Sequence, residues 1–422
     1  MAVEVVTFGC RLNAFEAELI RREAEQAGCR DTIVVNSCAV TSEAVAQVRQ
    51  SIRRLKRERP QARIVVTGCA AQVETEMFAA MAEVDRVLGN HDKLSGPAWQ
   101  ALHQTLGRES SDDSAARKIA VGDIMAVRAM APMPLERVAH DLPRVFVPVQ
   151  NGCDHRCTFC IIPFGRGPSR SLPPAAVIDQ VRALVARGHA EIVLTGVDLT
   201  SYGADLAGAP ALGGLVRQIL REVTDLKRLR LSSIDSIEVD HDLLEVIAND
   251  ERLMPHLHLS LQSGDDLILK RMKRRHRRAD AIALCEQLRR LRPEIALGAD
   301  LIAGFPTESE QAFAGSLDLV EDCGLSLLHV FPYSPRPGTP AANMPQLDGG
   351  VIKERAKRLR AVGEAALQRR FAAEIGQRRQ VLIESVTQGR TEHFLPVAIG
   401  GGVVGSVVTV TIAGHDGQRL TV

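Results

Sequence analysis

Across the first seventy residues, short apolar runs alternate with longer stretches of helical period. Residues 3–8, 32–36 and 63–67 are apolar and β-branched, whereas 13–27 and 42–59 repeat apolar positions every three or four residues. The order is βαβαβ, which predicts an open parallel α/β sheet. Residues 104–142, including the polar run 108–114, read as a connector. From 144 to about 373, apolar strands recur at 145–149, 190–195, 229–233, 257–261, 296–302 and 325–330 with helical segments between them. Six such βα units predict an incomplete (β/α)6 barrel rather than a closed eightfold one. After a helix at 351–375 the segments become short, and the alternating run 403–412 follows a glycine cluster, as expected of a small β-barrel. The expected division is therefore 1–103, a connector at 104–142, a barrel at 143–375 and a small domain at 376–422.

Composition narrows the class. Apolar residues are 45% of 422, so the chain is globular, and 52 Lys plus Arg against 51 Asp plus Glu give a formal charge of +1. Such a balance excludes binding to polyanions by bulk charge, so any nucleic-acid contact must come from local patches. There is no basic leader before an apolar run, and no stretch reaches the roughly 18 apolar residues of a membrane helix. The expectation is a soluble, cytoplasmic protein without a membrane partner. Nine cysteines in an unsecreted chain are better explained as ligands than as disulfides. For Cys29, Cys285 and Cys323, ordinary packing is the better explanation.

Two triplets of cysteine carry the chemistry. Cys153, Cys157 and Cys160 share one loop that follows the strand 144–150 and the break at Asn151-Gly152. Three thiolates leave one corner of a metal site open for a ligand, and the end of a barrel strand is where active sites form. A structural zinc knuckle would need a fourth ligand, and the nearest candidate, His155, lies too close inside the loop. Phe159, just before the last cysteine, is placed to lie along a planar ligand. Cys10, Cys38 and Cys69 each follow one of the first three strands, and the carboxyl ends of parallel strands share one edge, so three residues remote in sequence converge there. Right-handed crossovers are expected. A second three-thiolate site with an open corner follows.

These motifs resemble the radical S-adenosylmethionine (SAM) superfamily, and both triplets together resemble its methylthiotransferases. The resemblance runs through residues 7–13, 35–41, 66–69 and 150–167 and covers nearly the whole chain. It implies two [4Fe-4S] clusters, one that cleaves SAM reductively and one that delivers sulfur to the substrate. It also implies a SAM pocket lined by strand ends: Phe159, Thr195, Gly196, Asp198 (often Asn in related enzymes), Ser233, Gln262 and Gly304. The small domain resembles the TRAM module of tRNA-modifying enzymes. Lys270, Arg271, Lys273, Arg274, Arg275, Arg277 and Arg278 place seven cations in nine residues, a density suited to the phosphates of tRNA.

Residues 36–41, 260–264 and 270–278 resemble the branch that acts on N6-threonylcarbamoyladenosine at position 37 of tRNA. Within the class, the alternatives are isopentenyladenosine in tRNA and an aspartate of a ribosomal protein. An RNA-binding protein with structural metal sites is the alternative outside it. The resemblance further implies an electron donor such as flavodoxin or ferredoxin and a monomer, and leaves the sulfur donor open.

Overall fold

The structure is a computed structural model that describes residues 3–106, 118–130 and 142–422. It divides into two compact units. The first comprises residues 1–129, 151–169 and 334–342, and the second 130–150, 170–333 and 343–422. These units cut across the boundaries expected from sequence. The cysteine loop packs with the N-terminal sheet, and the C-terminal segment packs with the barrel.

In the first unit, β1 (Glu4–Thr7), β2 (Thr32–Ser37), β3 (Arg63–Gly68), β4 (Arg86–Leu88) and β5 (Ile119–Ala120) form one parallel sheet in sequential order. Between them run α1 (Arg11–Gln26), α2 (Ser42–Glu58), α3 (Cys69–Val73), α4 (Thr75–Ala79) and α5 (Gly96–Leu106). The expected connector is therefore not all connector. Val87 and Leu88 pair with Ile119 and Ala120, while residues 107–117 and 131–141 lie outside the described residues.

Alternation along the strands feeds two cores. Ile33, Val35, Ile64 and Val66 pack under Val45, Val48 and Ile52 of α2, whereas Val34 and Val65 pack under Ile20 and Ala24 of α1 and Trp99 of α5. Since α1 and α2 cover opposite faces of strands laid in the order β1-β2-β3, their crossovers have opposite hands. One is left-handed, against the general rule. The convergence of strand ends survives this correction because it depends on parallel direction alone.

In the second unit, β6 (Arg144–Pro148), β7 (Glu191–Thr195) and β8 (Arg228–Leu231) form one parallel sheet. A second sheet holds β9 (Ser233–Ile234), β10 (His256–Gln262), β11 (Ala296–Ala303) and β12 (Leu325–Pro332). The third barrel strand is interrupted at Ser232, and β6 does not pair with β12, so the barrel is an open arc of six strands, as the pattern predicts. Helices Pro174–Ala186, Leu212–Glu222, His241–Asn249, Arg278–Leu291 and Glu310–Asp322 alternate with the strands, and Gly349–Glu374 lies along β12. Several helices start where a side chain caps them: Asp240 accepts from Leu243 N and Asp265 from Ile268 N, both at 2.9 Å.

The C-terminal strands β13 (Arg378–Ser385), β14 (Gln388–Thr391), β15 (Pro396–Ala398), β16 (Val407–Thr411), β17 (Gly414–His415) and β18 (Leu420–Thr421) form one six-stranded sheet. This sheet packs on the N-terminal ends of the barrel strands. There the fully buried Glu191 pairs with Arg228 at 2.8 Å, Arg230 at 3.1 Å and Arg144, and Arg144 also reaches Glu384 at 2.6 Å. Phe394 stacks on His256 with centroids 5.0 Å apart and lies under the guanidinium groups of Arg144, Arg230 and Arg390. Burial opposes ionisation of Glu191, but three guanidinium groups hold its carboxyl well below the usual range. The C-terminal ends of the strands are left for chemistry.

Candidate active site

Cys10 is the N-cap of α1, Cys38 follows the last residue of β2, and Cys69 opens α3 directly after β3. Pairing of Thr7 with Asn36 and of Ser37 with Gly68 sets the three strand ends level. Two glycines make the close approach possible. Gly9 has φ +89°, and a Cβ there would lie 2.5 Å from Cys38 Cβ and 2.6 Å from its Sγ. Gly68 has φ +94°, and its Cβ would lie 2.4 Å from Ser37 O. Cys38 and Cys69 are buried, whereas Cys10 is exposed. Burial pushes the Cys38 thiol up to about 11, with Cys69 and Cys10 adding to the rise and the Val40 N–H opposing it. Loading a metal onto this triplet must therefore expel a proton.

Behind the triplet lies a buried charge network that sequence reasoning missed. Glu16 pairs with Lys93 at 2.6 Å and with Arg166 at 2.9 Å, and all three side chains are at most 3% exposed. Arg166 also donates to Asn13 Oδ1 at 2.6 Å, and Lys93 donates to Asn36 Oδ1 at 3.1 Å. Asn90 Nδ2 donates to Gly165 O at 2.6 Å and approaches Cys69 Sγ at 3.6 Å. Desolvation would raise the Glu16 carboxyl, yet Arg166 and Lys93 overcome it and hold the group below its usual range. The network carries two cations against one anion beside three thiols. Soft thiolates, a net buried positive charge and an exposed Cys10 fit an iron–sulfur cluster with an accessible corner. The signal was present in α1, where Asn13 and Glu16 share the buried stripe with Leu12, Leu19 and Ile20.

The other triplet sits on a loop closed at both ends. Gly152 has φ +76°, and a Cβ there would lie 1.9 Å from Pro168 O, so only glycine fits. Cys153 N donates to Gly167 O and Cys160 N to Cys157 O, each at 3.1 Å, and Ser169 N donates to Asp154 Oδ1 at 3.1 Å. Ile161 is buried in the core under α2, which anchors the loop beside the sheet. All three cysteines and Phe159 are partly exposed. Three accessible thiols on a closed loop fit a cluster whose fourth corner takes a ligand.

In the second unit, the residues expected to line a SAM pocket all fall at or just past the carboxyl ends of barrel strands. Thr195 ends β7, and beyond it Gln150 Oε1 accepts from Val197 N and Asp198 N, each at 2.9 Å. A Cβ on Gly196 would lie 2.8 Å from that oxygen. Gln150, fully buried, is therefore a positioning residue that the sequence did not single out. Gln262 ends β10 at an irregular register with φ +69°, and Ser233 is exposed on β9. Gly304, at φ +78°, follows β11, and its N–H donates to Glu308 Oε2 at 2.9 Å. Burial pushes the Glu308 carboxyl up to about 7, against the pull of the Gly304 N–H and Arg355.

The basic run is mostly not a free patch. Arg274 pairs with Asp235 at 2.7 Å and is only 8% exposed, Arg275 pairs with Glu238 at 2.7 Å, and Arg278 pairs with Asp322. Arg271 donates to Thr307 Oγ1 at 2.8 Å. Lys270, Lys273 and Arg277 remain exposed and pair with no carboxylate among the described residues. Four of the seven cations in the run thus hold partners on other elements of the fold. Among the described residues, no helix is long and apolar enough to cross a membrane.

The chain is similar to known proteins in sequence and in fold. Residues 147–320 match the Radical SAM superfamily, and residues 2–89 match the Uncharacterized protein family UPF0004. The chain is 49% identical over 396 residues to the threonylcarbamoyladenosine tRNA methylthiotransferase MtaB of Rickettsia prowazekii, covering 94% of this chain and 91% of that protein. It is 34% identical to a tRNA-2-methylthio-N(6)-dimethylallyladenosine synthase of Cereibacter sphaeroides, over 99% of this chain and 97% of the relative. Among solved structures, the radical SAM methyltransferase TsrM of Kitasatospora setae shares the fold with a TM-score of 0.54 at 17% identity, covering 81% of this chain and 77% of that one.

Proposed function

The chain belongs to the radical SAM tRNA methylthiotransferases, and from that premise we propose that it methylthiolates N6-threonylcarbamoyladenosine at position 37 of tRNA. The observation that carries the choice of base is the 49% identity to one relative named for that substrate, where other relatives named for either base share 33–35%.

A [4Fe-4S] cluster with SAM, when bound, supplies the one-electron chemistry needed to break an aromatic carbon–hydrogen bond, which side-chain acids and bases cannot do. Cys153, Cys157 and Cys160 would hold that cluster and leave one corner for SAM. Cys10, Cys38 and Cys69 would hold the second cluster, from which the sulfur is delivered. Lys93 and Arg166 offset the charge of those thiolates in the interior. Gln150 fixes the backbone after β7, and Thr195, Gly196 and Asp198 there, with Ser233, Gln262 and Gly304 on the later strand ends, would line the SAM site. Lys270, Lys273 and Arg277 would meet tRNA phosphates. A flavodoxin or ferredoxin would supply electrons to a monomeric enzyme.

The test uses anaerobically reconstituted protein with tRNA carrying either threonylcarbamoyl- or dimethylallyladenosine, followed by mass spectrometry of the nucleosides. Methylthio product on the first alone supports the reading, and product on the second alone overturns it.

A further inference from the structure

One polar cluster in the barrel wall has no part in the cluster or SAM sites. His258 of β10, Asp300 of β11 and His329 of β12 meet through a single oxygen: Asp300 Oδ1 lies 2.9 Å from His258 Nε2 and 3.1 Å from His329 Nδ1. Their rings stand 4.4 Å apart. The inner face of the barrel holds all three. Leu328 packs outward against Gly363 of the helix Gly349–Glu374, where an added Cβ would lie 2.8 Å from Leu328 Cδ1, so the next residue, His329, points inward. Asp300 pairs with His329 across the two strands. Gly298, two residues before Asp300 and on the same face, leaves room for the His258 ring, since its Cβ would lie 2.6 Å from His258 Nδ1.

Burial grades along the cluster. His258 is 8% exposed and Asp300 20%, whereas His329 is 61% exposed. Burial alone would raise the Asp300 carboxyl, but the two imidazoles hold it down at about 2, so it stays ionised. The His329 side chain is exposed, and with Nδ1 committed to Asp300 its Nε2 is the nitrogen left for a ligand. A wall that invests one ionised carboxylate in orienting an exposed imidazole is built to present a directed donor.

We infer that His329, oriented by Asp300 and His258, binds the carboxylate of the threonyl group on the substrate base. This inference rests on the proposed substrate. A threonylcarbamoyl group ends in a carboxylate, whereas a dimethylallyl group ends in methyls that would leave this donor unpaired. Bracketed between Asp300 on Nδ1 and the substrate carboxylate on Nε2, the ring is fixed at both nitrogens. His329 is the binding residue, and Asp300 and His258 are positioning residues.

The test uses the reconstituted full chain with anticodon stem-loop RNAs carrying threonylcarbamoyladenosine either as the free acid or as its methyl ester. The wild type should prefer the free acid by about tenfold or more in kcat/KM, the size of one hydrogen bond to a charged group. His329→Gln and His329→Ala should lose that preference by slowing on the acid and not on the ester. Asp300→Asn should lose part of it. Thermal unfolding and iron content establish that each variant is folded. If the wild type acts on the acid and His329→Gln keeps the full preference, the inference falls while the proposed substrate stands. If the wild type acts on neither RNA but on dimethylallyladenosine, the proposed substrate falls first. Zinc retained at equal stoichiometry by the wild type and lost in His329→Ala would make the cluster a metal site and overturn the inference.

Discussion

Arg166 donates to Asn13 Oδ1 at 2.6 Å, joining a residue six positions beyond Cys160 to one three positions beyond Cys10. Asn13 in turn donates to Phe8 O and Ser37 O, each at 3.0 Å, just before the first and second cysteines of the other triplet. The loop of one triplet is thereby tied to the strand ends that carry the other, and Glu16 and Lys93 complete the tie.

Removing Arg166 should be costly. Arg166→Ala leaves Glu16 buried with one cation instead of two, and breaking a buried pair costs roughly 3–5 kcal/mol. Urea unfolding of the cluster-free chain should show a midpoint lowered accordingly with little change in slope. A loss under about 1 kcal/mol would mean that the network contributes little.

The two cysteine triplets should separate by function. Reconstituted wild type should hold about eight irons, and Cys38→Ala or Cys157→Ala about four. Cys157→Ala should abolish SAM cleavage, because its cluster loses one of three protein ligands. Cys38→Ala should still cleave SAM yet form no methylthio product. Deoxyadenosine release read beside nucleoside mass spectrometry decides this, and full methylthiolation by Cys38→Ala would remove the N-terminal triplet from the chemistry.

Glu308 gives a pH signature. Its ordinary value is 4.5 and its folded value is about 7, so between these the folded state holds more protons than the unfolded one. Stability contributed by this group is then present below about 4.5 and declines as pH rises to about 7, with a total on the order of 3 kcal/mol. Glu308→Gln keeps an acceptor for the Gly304 N–H and should flatten that part of the stability curve. Parallel wild-type and variant curves from pH 4.5 to 7 would show that the carboxyl is not raised.

The basic run should divide into two sets. Replacing Lys270, Lys273 and Arg277 together with Glu should weaken tRNA binding and reduce the logarithmic salt slope by roughly 2, the change expected for losing three phosphate contacts. Stability should stay within about 0.5 kcal/mol for each change, as for other surface positions. Arg274→Ala should do the opposite, lowering stability because it leaves the buried Asp235 with only the longer guanidinium contact to Arg275 at 3.6 Å. Filter binding across a salt series and thermal unfolding of both variants separate these outcomes.

The arrangement of elements was legible because it depends on local pattern. Apolar runs located all six barrel strands and the first three strands of the N-terminal sheet within a residue or two. The strand Ile119–Ala120 escaped notice because two residues carry no periodicity, and only its pairing with β4 makes it part of a sheet. Both cysteine triplets were visible because thiols stand out by type and each triplet lies directly after strands.

Charge behaved differently, and there the tertiary structure decided. Seven cations in nine residues look alike in sequence, yet Arg274 is buried against Asp235 and Lys273 is exposed, since the partner lies 39 positions away. Glu16, Lys93 and Arg166 lie far apart in sequence, and only folding across 150 positions brings them into one dry network. The same holds for His258, Asp300 and His329 on three strands. The sequence by itself determined which segments become strands and which residues can ligate metal, because backbone pattern and donor chemistry are local. Which charges are buried, paired or free was left to tertiary structure, because desolvation and Coulomb attraction belong to the place a side chain occupies and not to its identity.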